Sequence, residues 1–236
     1  MTDLDSLLGA SRLVDLTQPL GPETTLWPGS TPFAAAVVAG YEADGCYARE
    51  LAVPEHAGTH LDAPCHFDPD GARIHEIPLA ALVRPLVKLD VRHVVRGDAS
   101  VVIGAATLLE LEARDGTIPA GAAVLVHTGW DAHHLDAARY LGEGGVAFPG
   151  LGRDAAELLV DRGVAGIGID TLSVDPGSSA DHPVHHLVLP AGIWQLEGLV
   201  GLAEVPARGA WLVAAPPLLV DGSGATVRAF AIVPGA

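Results

Sequence analysis

The chain is short of cysteine, of basic side chains and of aromatic rings, and each shortage excludes something. Only Cys46 and Cys65 occur among 236 residues, too few for a disulfide framework, and no C-x-x-C pair marks a redox or structural zinc motif. Free thiols fit a reducing compartment, so a cytoplasmic protein is expected. Lys and Arg number 13 against 29 Asp and Glu, a formal net charge of -16. Such a surface repels phosphate backbones and anionic lipid, which argues against nucleic acid and membrane as partners. A cation and a small-molecule substrate are the partners that acidity does not discourage. No apolar run reaches the ~20 residues of a spanning helix, and the longest, around Ala210 to Val220, is broken by Pro216 and Pro217. The start, Met1-Thr2-Asp3-Leu4-Asp5, lacks the basic residues and apolar stretch of a signal peptide. A G-x-S-x-G elbow is also missing, which removes the usual serine hydrolase. Aromatics make up 5%, so a pocket for a flat substrate would rest on few rings, with Trp27, Phe67, Trp130, Phe148 and Trp194 as candidates.

What the chain has in quantity is apolar, partly β-branched sequence. At 49% hydrophobic content it can bury one substantial core, and residues 1–236 read as a single domain. Strand-length runs bounded by Gly and Pro recur around Leu13 to Leu16, Phe33 to Ala39, Tyr47 to Val53, Leu86 to Val91, Ala122 to His127, Val164 to Ile169, Ala210 to Ala215 and Ala225 to Val233. Helical spacing is confined to Ala105 to Arg114 and Arg153 to Arg162, the latter with Gly163 where a C-terminal cap belongs. Strands outnumber helices and the two mix along the chain, so an α/β fold is expected, with a mixed β-sheet core and flanking helices. Turn-rich segments at Gly21 to Pro32, Asp68 to Ala72, Leu141 to Gly152 and Asp175 to Pro183 are placed to wall a site.

The densest chemistry lies in His56-Ala57-Gly58-Thr59-His60-Leu61-Asp62-Ala63-Pro64-Cys65-His66. A helical H-x-x-x-H reading is weak, because Pro54, Gly58 and Pro64 surround it. Read as extended chain, His56, His60, Asp62 and His66 share one parity and face one side, while Cys65 faces away. Pro64 cannot donate to a sheet ladder, so a strand end running into an irregular loop is the better picture. Imidazoles with a carboxylate supply the donors of a zinc or manganese site. A second group, Asp181-His182-Pro183-Val184-His185-His186 followed by Glu197, reads from its residues alone equally as solvated histidines and a backbone-satisfying Glu. The segment Asp131 to Asp136 carries two histidines, but its place on a surface loop or short helix favours a solvated role.

Two other function classes compete. Gly150-Leu151-Gly152-Arg153-Asp154-Ala155 before a helix, with Asp170 beyond, loosely imitates a dinucleotide fingerprint, but Gly144 to Pro149 is no strand to feed the glycine turn. A metal-binding protein without catalysis would keep the cluster for structure alone.

The stretch His56 to His66 resembles the pattern H-x-G-T-H-x-D-x-P-x-H of the cyclase and bacterial kynurenine formamidase-like metallohydrolases, which include isatin hydrolases. The likeness continues in order through Val14-Asp15-Leu16-Thr17, Trp27-Pro28-Gly29, Thr31-Pro32-Phe33, Thr128-Gly129-Trp130, the run Gly166 to Asp175 and the His185 to Glu197 stretch. The resemblance implies the family's swivelling β/β/α fold, assembled as a homodimer or larger. It implies that His56, His60 and Asp62 bind one divalent ion, Zn²⁺ or Mn²⁺, and that Asp62 can bridge to a second completed by His185 and Glu197. His186 competes with His185 for that place. It also implies that His66 is the catalytic acid/base and that Trp27 lines the substrate pocket. The implied reaction is hydrolysis of a small amide, an aryl formamide such as N-formylkynurenine. Opening of a cyclic amide as in isatin, or a related cyclisation or dehydration, is the alternative.

Overall fold

A computed structural model of the chain describes residues Gly9 to Gly235; the acidic start Met1 to Asp5 lies outside them. Thirteen strands follow one another: β1 Ser11–Asp15, β2 Ala34–Ala39, β3 Ala48–Ala52, β4 His60–Asp62, β5 Val83–Asp90, β6 Val102–Ile103, β7 Ala123–His127, β8 Gly150–Leu151, β9 Gly166–Ile169, β10 Trp194–Glu197, β11 Ala210–Val213, β12 Gly224–Thr226 and β13 Phe230–Pro234. Among the described residues six α-helices are interspersed: α1 Tyr41–Asp44, α2 Arg92–Val95, α3 Ala105–Asp115, α4 Ala137–Leu141, α5 Arg153–Asp161 and α6 His185–Val188. None is long and apolar enough to cross a membrane.

Nine strands form one mixed sheet in the order β1-β13-β11-β5-β7-β9-β10-β4-β12. Its centre, β5, β7, β9 and β10, is parallel, and each step between these strands crosses over through a helix, α3, α5 and α6 in turn. The flanking strands are antiparallel. Period-two alternation divides the core between the two faces. Val124, Val126, Ile167 and Ile169 join Leu108, Leu111, Ala155 and Leu159 of the helices. Ala123, Leu125 and Leu196 turn to the other side, where both ends of the curled sheet, Val14 of β1 and Ala225 of β12, join a second core.

The helices follow their apolar spacing. In α5, Ala155 and Leu159 are one turn apart and buried, Arg162 caps the end and Gly163 takes φ +64°. Asp154 in its first turn accepts a bond from the Ala105 N–H at 2.9 Å, satisfying the otherwise unpaired start of α3.

Seven of the expected strands stand where the apolar runs are. The run Ala225 to Val233 is not one strand but two, β12 at one end of the sheet order and β13 next to β1 at the other. Hydropathy did not reveal that break, because between buried Val227 and Ala229 stands only the exposed Arg228, which looks like the outward position of a half-buried strand. Strands β4 and β10 carry His, Asp and Glu and gave no apolar run. The β2–β3 hairpin stands apart from the large sheet and is exposed along nearly its whole length.

Candidate metal centre

The site lies at the carboxyl ends of β9 and β10, where open α/β sheets bind their ligands. Strand β4 is only His60-Leu61-Asp62, but it is paired on both sides, with β10 and β12. Leu61 points into the core and alternation sends His60 and Asp62 to the opposite face. Glu197 stands directly across from His60 in the antiparallel register and so shares that face. His185 opens α6; its backbone N–H and its Nδ1 both meet Asp175 Oδ2, at 3.2 and 2.6 Å, and the Val184 N–H donates to Oδ1 at 2.9 Å. His186, on the same helix, is exposed to solvent.

His56 and His66 reach the site by a route that period-two geometry does not describe. The backbone turns at Gly58, φ +59°, before β4 begins, and Pro64–His66 is a 3₁₀ turn that folds His66 back until its ring stacks on His56, centroids 4.0 Å apart. Cys65 does face away, its thiol beside the Gly222 carbonyl at 3.7 Å. Close approach of two backbones closes the floor. Gly198, φ +66°, has no room for a Cβ, which would lie 2.4 Å from the Gly58 carbonyl oxygen. Thr59 Oγ1 donates to Gly198 O at 2.6 Å, and Gln18 Nε2 donates to the same oxygen at 2.8 Å.

Donor atoms converge in two halves. His60 Nε2 lies 3.3 Å from Asp62 Oδ1 and 3.4 Å from Glu197 Oε2; His185 Nε2 lies 3.5 Å from Asp62 Oδ2 and 3.3 Å from Glu197 Oε1. Those spacings exceed the 2.7–2.9 Å typical of charge-assisted hydrogen bonds. They match the ~3.4 Å edge of a tetrahedron of ligands about 2.1 Å from one ion. His56 Nδ1 faces Asp62 Oδ1 at 2.6 Å. The remaining nitrogens are engaged elsewhere: His60 Nδ1 at the Gly58 carbonyl, 3.0 Å, His185 Nδ1 at Asp175, and His56 Nε2 at Ser223 Oγ, 3.0 Å. Imidazole nitrogens and carboxylates with outer partners are the donor set of a zinc or manganese ion, so these side chains fit a divalent metal.

Electrostatics point the same way. Burial opposes charge on His60, but Asp62 and Glu197 outweigh it and its pKa is raised to about 10. For Glu197, burial and the Asp62 charge push upward, and hydrogen bonds from His185 and His60 overcome both, leaving about 2. Asp62 is likewise held well below the usual carboxylate range against its own burial, chiefly by the charge of His60. Anionic carboxylates this deeply buried require positive charge beside them, supplied by protons or by a cation. His66 behaves oppositely: burial drives its pKa from the ordinary 6.5 to about 4. His66 is therefore a neutral imidazole at pH 7.

A cavity of about 310 Å³ opens over these groups. Trp27 and Leu26 of the Gly21 to Pro32 loop, Phe67, Leu172 and Tyr140 wall it, with His182 between. Trp27 is 36% exposed and meets Phe148 and His182 edge-on at 6.3 and 6.0 Å. Of the other candidate rings, Trp130, Phe148 and Trp194 do not line this cavity. Sequence reading missed Tyr140 and Gln18, whose side chains hydrogen-bond at 3.1 Å, and Asp175, whose partner His185 is ten residues away.

Two further segments read differently in three dimensions. Asp131 is partly buried: it accepts from the Gly201 N–H at 3.1 Å and lies 3.7 Å from His127 Nε2. Asp170, the acid of the dinucleotide-like pattern, is fully buried and accepts from Thr128 N, Thr128 Oγ1, Gly129 N and Trp130 N. It has nothing left for a ribose, and β8 pairs only with β6, outside the main sheet.

Comparison with known proteins agrees with this geometry. The family model Cyclase, described as "Putative cyclase", matches residues 14–176. An isatin hydrolase of Roseibium aggregatum is 30% identical over 98% of this chain and 95% of its own length. A kynurenine formamidase of Bacillus mycoides is 30% identical over 93% and 96%. Among solved structures, an isatin hydrolase bound to the product analogue thioisatinate superposes with a TM-score of 0.91 at 29% identity, covering 96% of this chain and 94% of that one. A potential metal-dependent hydrolase with cyclase activity superposes with a TM-score of 0.76 at 27% identity, covering 96% and 100%. On its sequence and its fold alike, the chain belongs to the cyclase family of metal-dependent hydrolases.

Proposed function

We propose that this enzyme hydrolyses a small amide carried on an aromatic ring, with an aryl formamide such as N-formylkynurenine as the first candidate. The observation that carries the reading is the convergence of His56, His60, His185, Asp62 and Glu197 beneath an aryl-walled cavity. On this reading those five side chains would hold one or two divalent ions. A bound divalent ion supplies Lewis acidity, polarising a carbonyl and acidifying water.

The rest is done by the chain's own groups. Trp27 and Phe67 present apolar faces to a flat ring, and a cavity of about 310 Å³ suits a small substrate. His66, neutral and at the cavity edge, takes the proton of the attacking water and returns it to the amide nitrogen as the C–N bond breaks. The products are an aryl amine and formate. Isatin is the second reading, favoured by the isatin hydrolase relatives; there the same bond change opens a ring and releases no second product.

The test is turnover of N-formylkynurenine and of isatin by the purified protein before and after chelation, with metal content measured on the same sample. Chelator-sensitive formate release supports the formamide reading, and turnover of isatin alone moves the assignment to ring opening. A metal-loaded protein that turns over neither removes the aryl amide reading.

A further inference from the structure

Glu55, Ser223 and Gly224 make a seat for His56 that no ligand motif contains. Ser223 and Gly224 lead into β12, 167 residues beyond His56 in the chain, and arrive beside it only because β12 pairs with β4. Glu55 Oε2 accepts three bonds from this segment: Ser223 Oγ at 2.8 Å, Ser223 N at 3.0 Å and Gly224 N at 3.3 Å. A carboxylate only accepts, so the Ser223 hydroxyl spends its single proton on Glu55. Against His56 Nε2, 3.0 Å away, the same oxygen can then act only as acceptor. His56 Nε2 must therefore carry the hydrogen, and Nδ1, which donates to Asp62 Oδ1 at 2.6 Å, is the nitrogen left to exchange its proton for an ion.

Gly224 supplies the space. A Cβ on it would lie 2.5, 2.8 and 2.9 Å from the Cε1, Nδ1 and Nε2 atoms of His56, so the ring lies directly against the glycine backbone. The other two inward imidazoles are oriented by a backbone carbonyl and by a carboxylate in direct contact. His56 alone among them depends on a hydroxyl whose polarity a second residue sets.

We propose that Glu55 and Ser223 are positioning residues that fix the Nε2–H tautomer of His56 and so make its Nδ1 a metal ligand, whereas His60 and His185 bind through Nε2. This rests on the metal-centre reading above. Neither Glu55 nor Ser223 lines the cavity, and their effect passes through one imidazole.

The experiment uses the full chain and two probes, Zn²⁺ and Mn²⁺, with dissociation constants from chelator competition. Loss of an outer partner typically weakens metal binding about 10–100-fold, and that is the effect expected of Ser223→Ala and, more mildly, of Glu55→Gln. Ser223→Thr keeps the hydroxyl and should restore affinity to within about threefold of the parent. Long-range ¹H–¹⁵N spectra of the zinc-loaded protein, labelled at histidine, should show His56 with the hydrogen on Nε2. A parent that binds zinc tightly, with both variants folded and unchanged in affinity, overturns the seat and leaves the metal centre standing. A hydrogen on His56 Nδ1 overturns it too. A parent that binds neither ion overturns the seat and the metal centre together. Should Ser223→Ala not fold, the Glu55→Gln constant and the tautomer of the parent still decide.

Discussion

Asp175 Oδ2 lies 2.6 Å from His185 Nδ1, and the same carboxylate accepts the backbone N–H groups of Val184 and His185. One side chain thus caps the start of α6 and points His185 Nε2 at Asp62 and Glu197. Asp175→Asn keeps the size but loses the charge that orients the imidazole. It should weaken metal binding about 10–100-fold, while His186→Ala, altering an exposed ring, should leave affinity unchanged. Metal titration of both variants checks the pair; equal losses would move the ligand assignment to the helix as a whole.

His66 lies at the cavity edge, stacked on His56, with burial holding its pKa near 4. His66→Ala should lower turnover by about 10²–10⁴, the usual worth of a positioned acid/base, with metal content unchanged. Metal content by plasma mass spectrometry beside kcat separates the roles. Loss of metal in the variant would make His66 a ligand instead.

Ions and protons compete for the same donors. His60 is raised to about 10, so at pH 7 it holds a proton that a metal ligand must release. The sign follows: affinity for Zn²⁺ or Mn²⁺ should rise with pH, about tenfold per unit for each proton displaced. Calorimetry in buffers of different ionisation enthalpy counts those protons directly, and an affinity independent of pH from 6 to 8 would contradict the assignment of His60.

The sequence disclosed the scaffold better than the site's supports. Apolar runs mark β7, β9 and the second half of β5, Leu86 to Leu89, because both faces are buried there. Strands β4 and β10 are three and four residues long and carry His60, Asp62 and Glu197; they are buried because these groups satisfy one another, which hydropathy does not register. Parity placed His60 and Asp62 correctly, since both are on a strand. It reached the right face for His56 and His66 through the wrong geometry, a glycine turn and a 3₁₀ turn taking the place of extended chain. Asp175 lay in a run that carried the family likeness, but nothing there paired it with His185 ten residues on; Ser223 carried no signal, because its meaning depends on β12 pairing with β4.

Trp27 tests the cavity rather than the ions. It rises from the Gly21 to Pro32 loop, 36% exposed, edge-on to Phe148 and His182, and it touches none of the five inward donors. Trp27→Ala removes an apolar wall that a flat ring meets equally in the ground and transition states, which raises KM with little change in kcat. Trp27→Phe keeps most of that wall and should recover most of the affinity. Metal content should equal that of the parent in both variants. Steady-state kinetics with N-formylkynurenine and isatin read the split, and a fall in kcat at constant KM would instead place Trp27 among the groups that act on the reacting atoms.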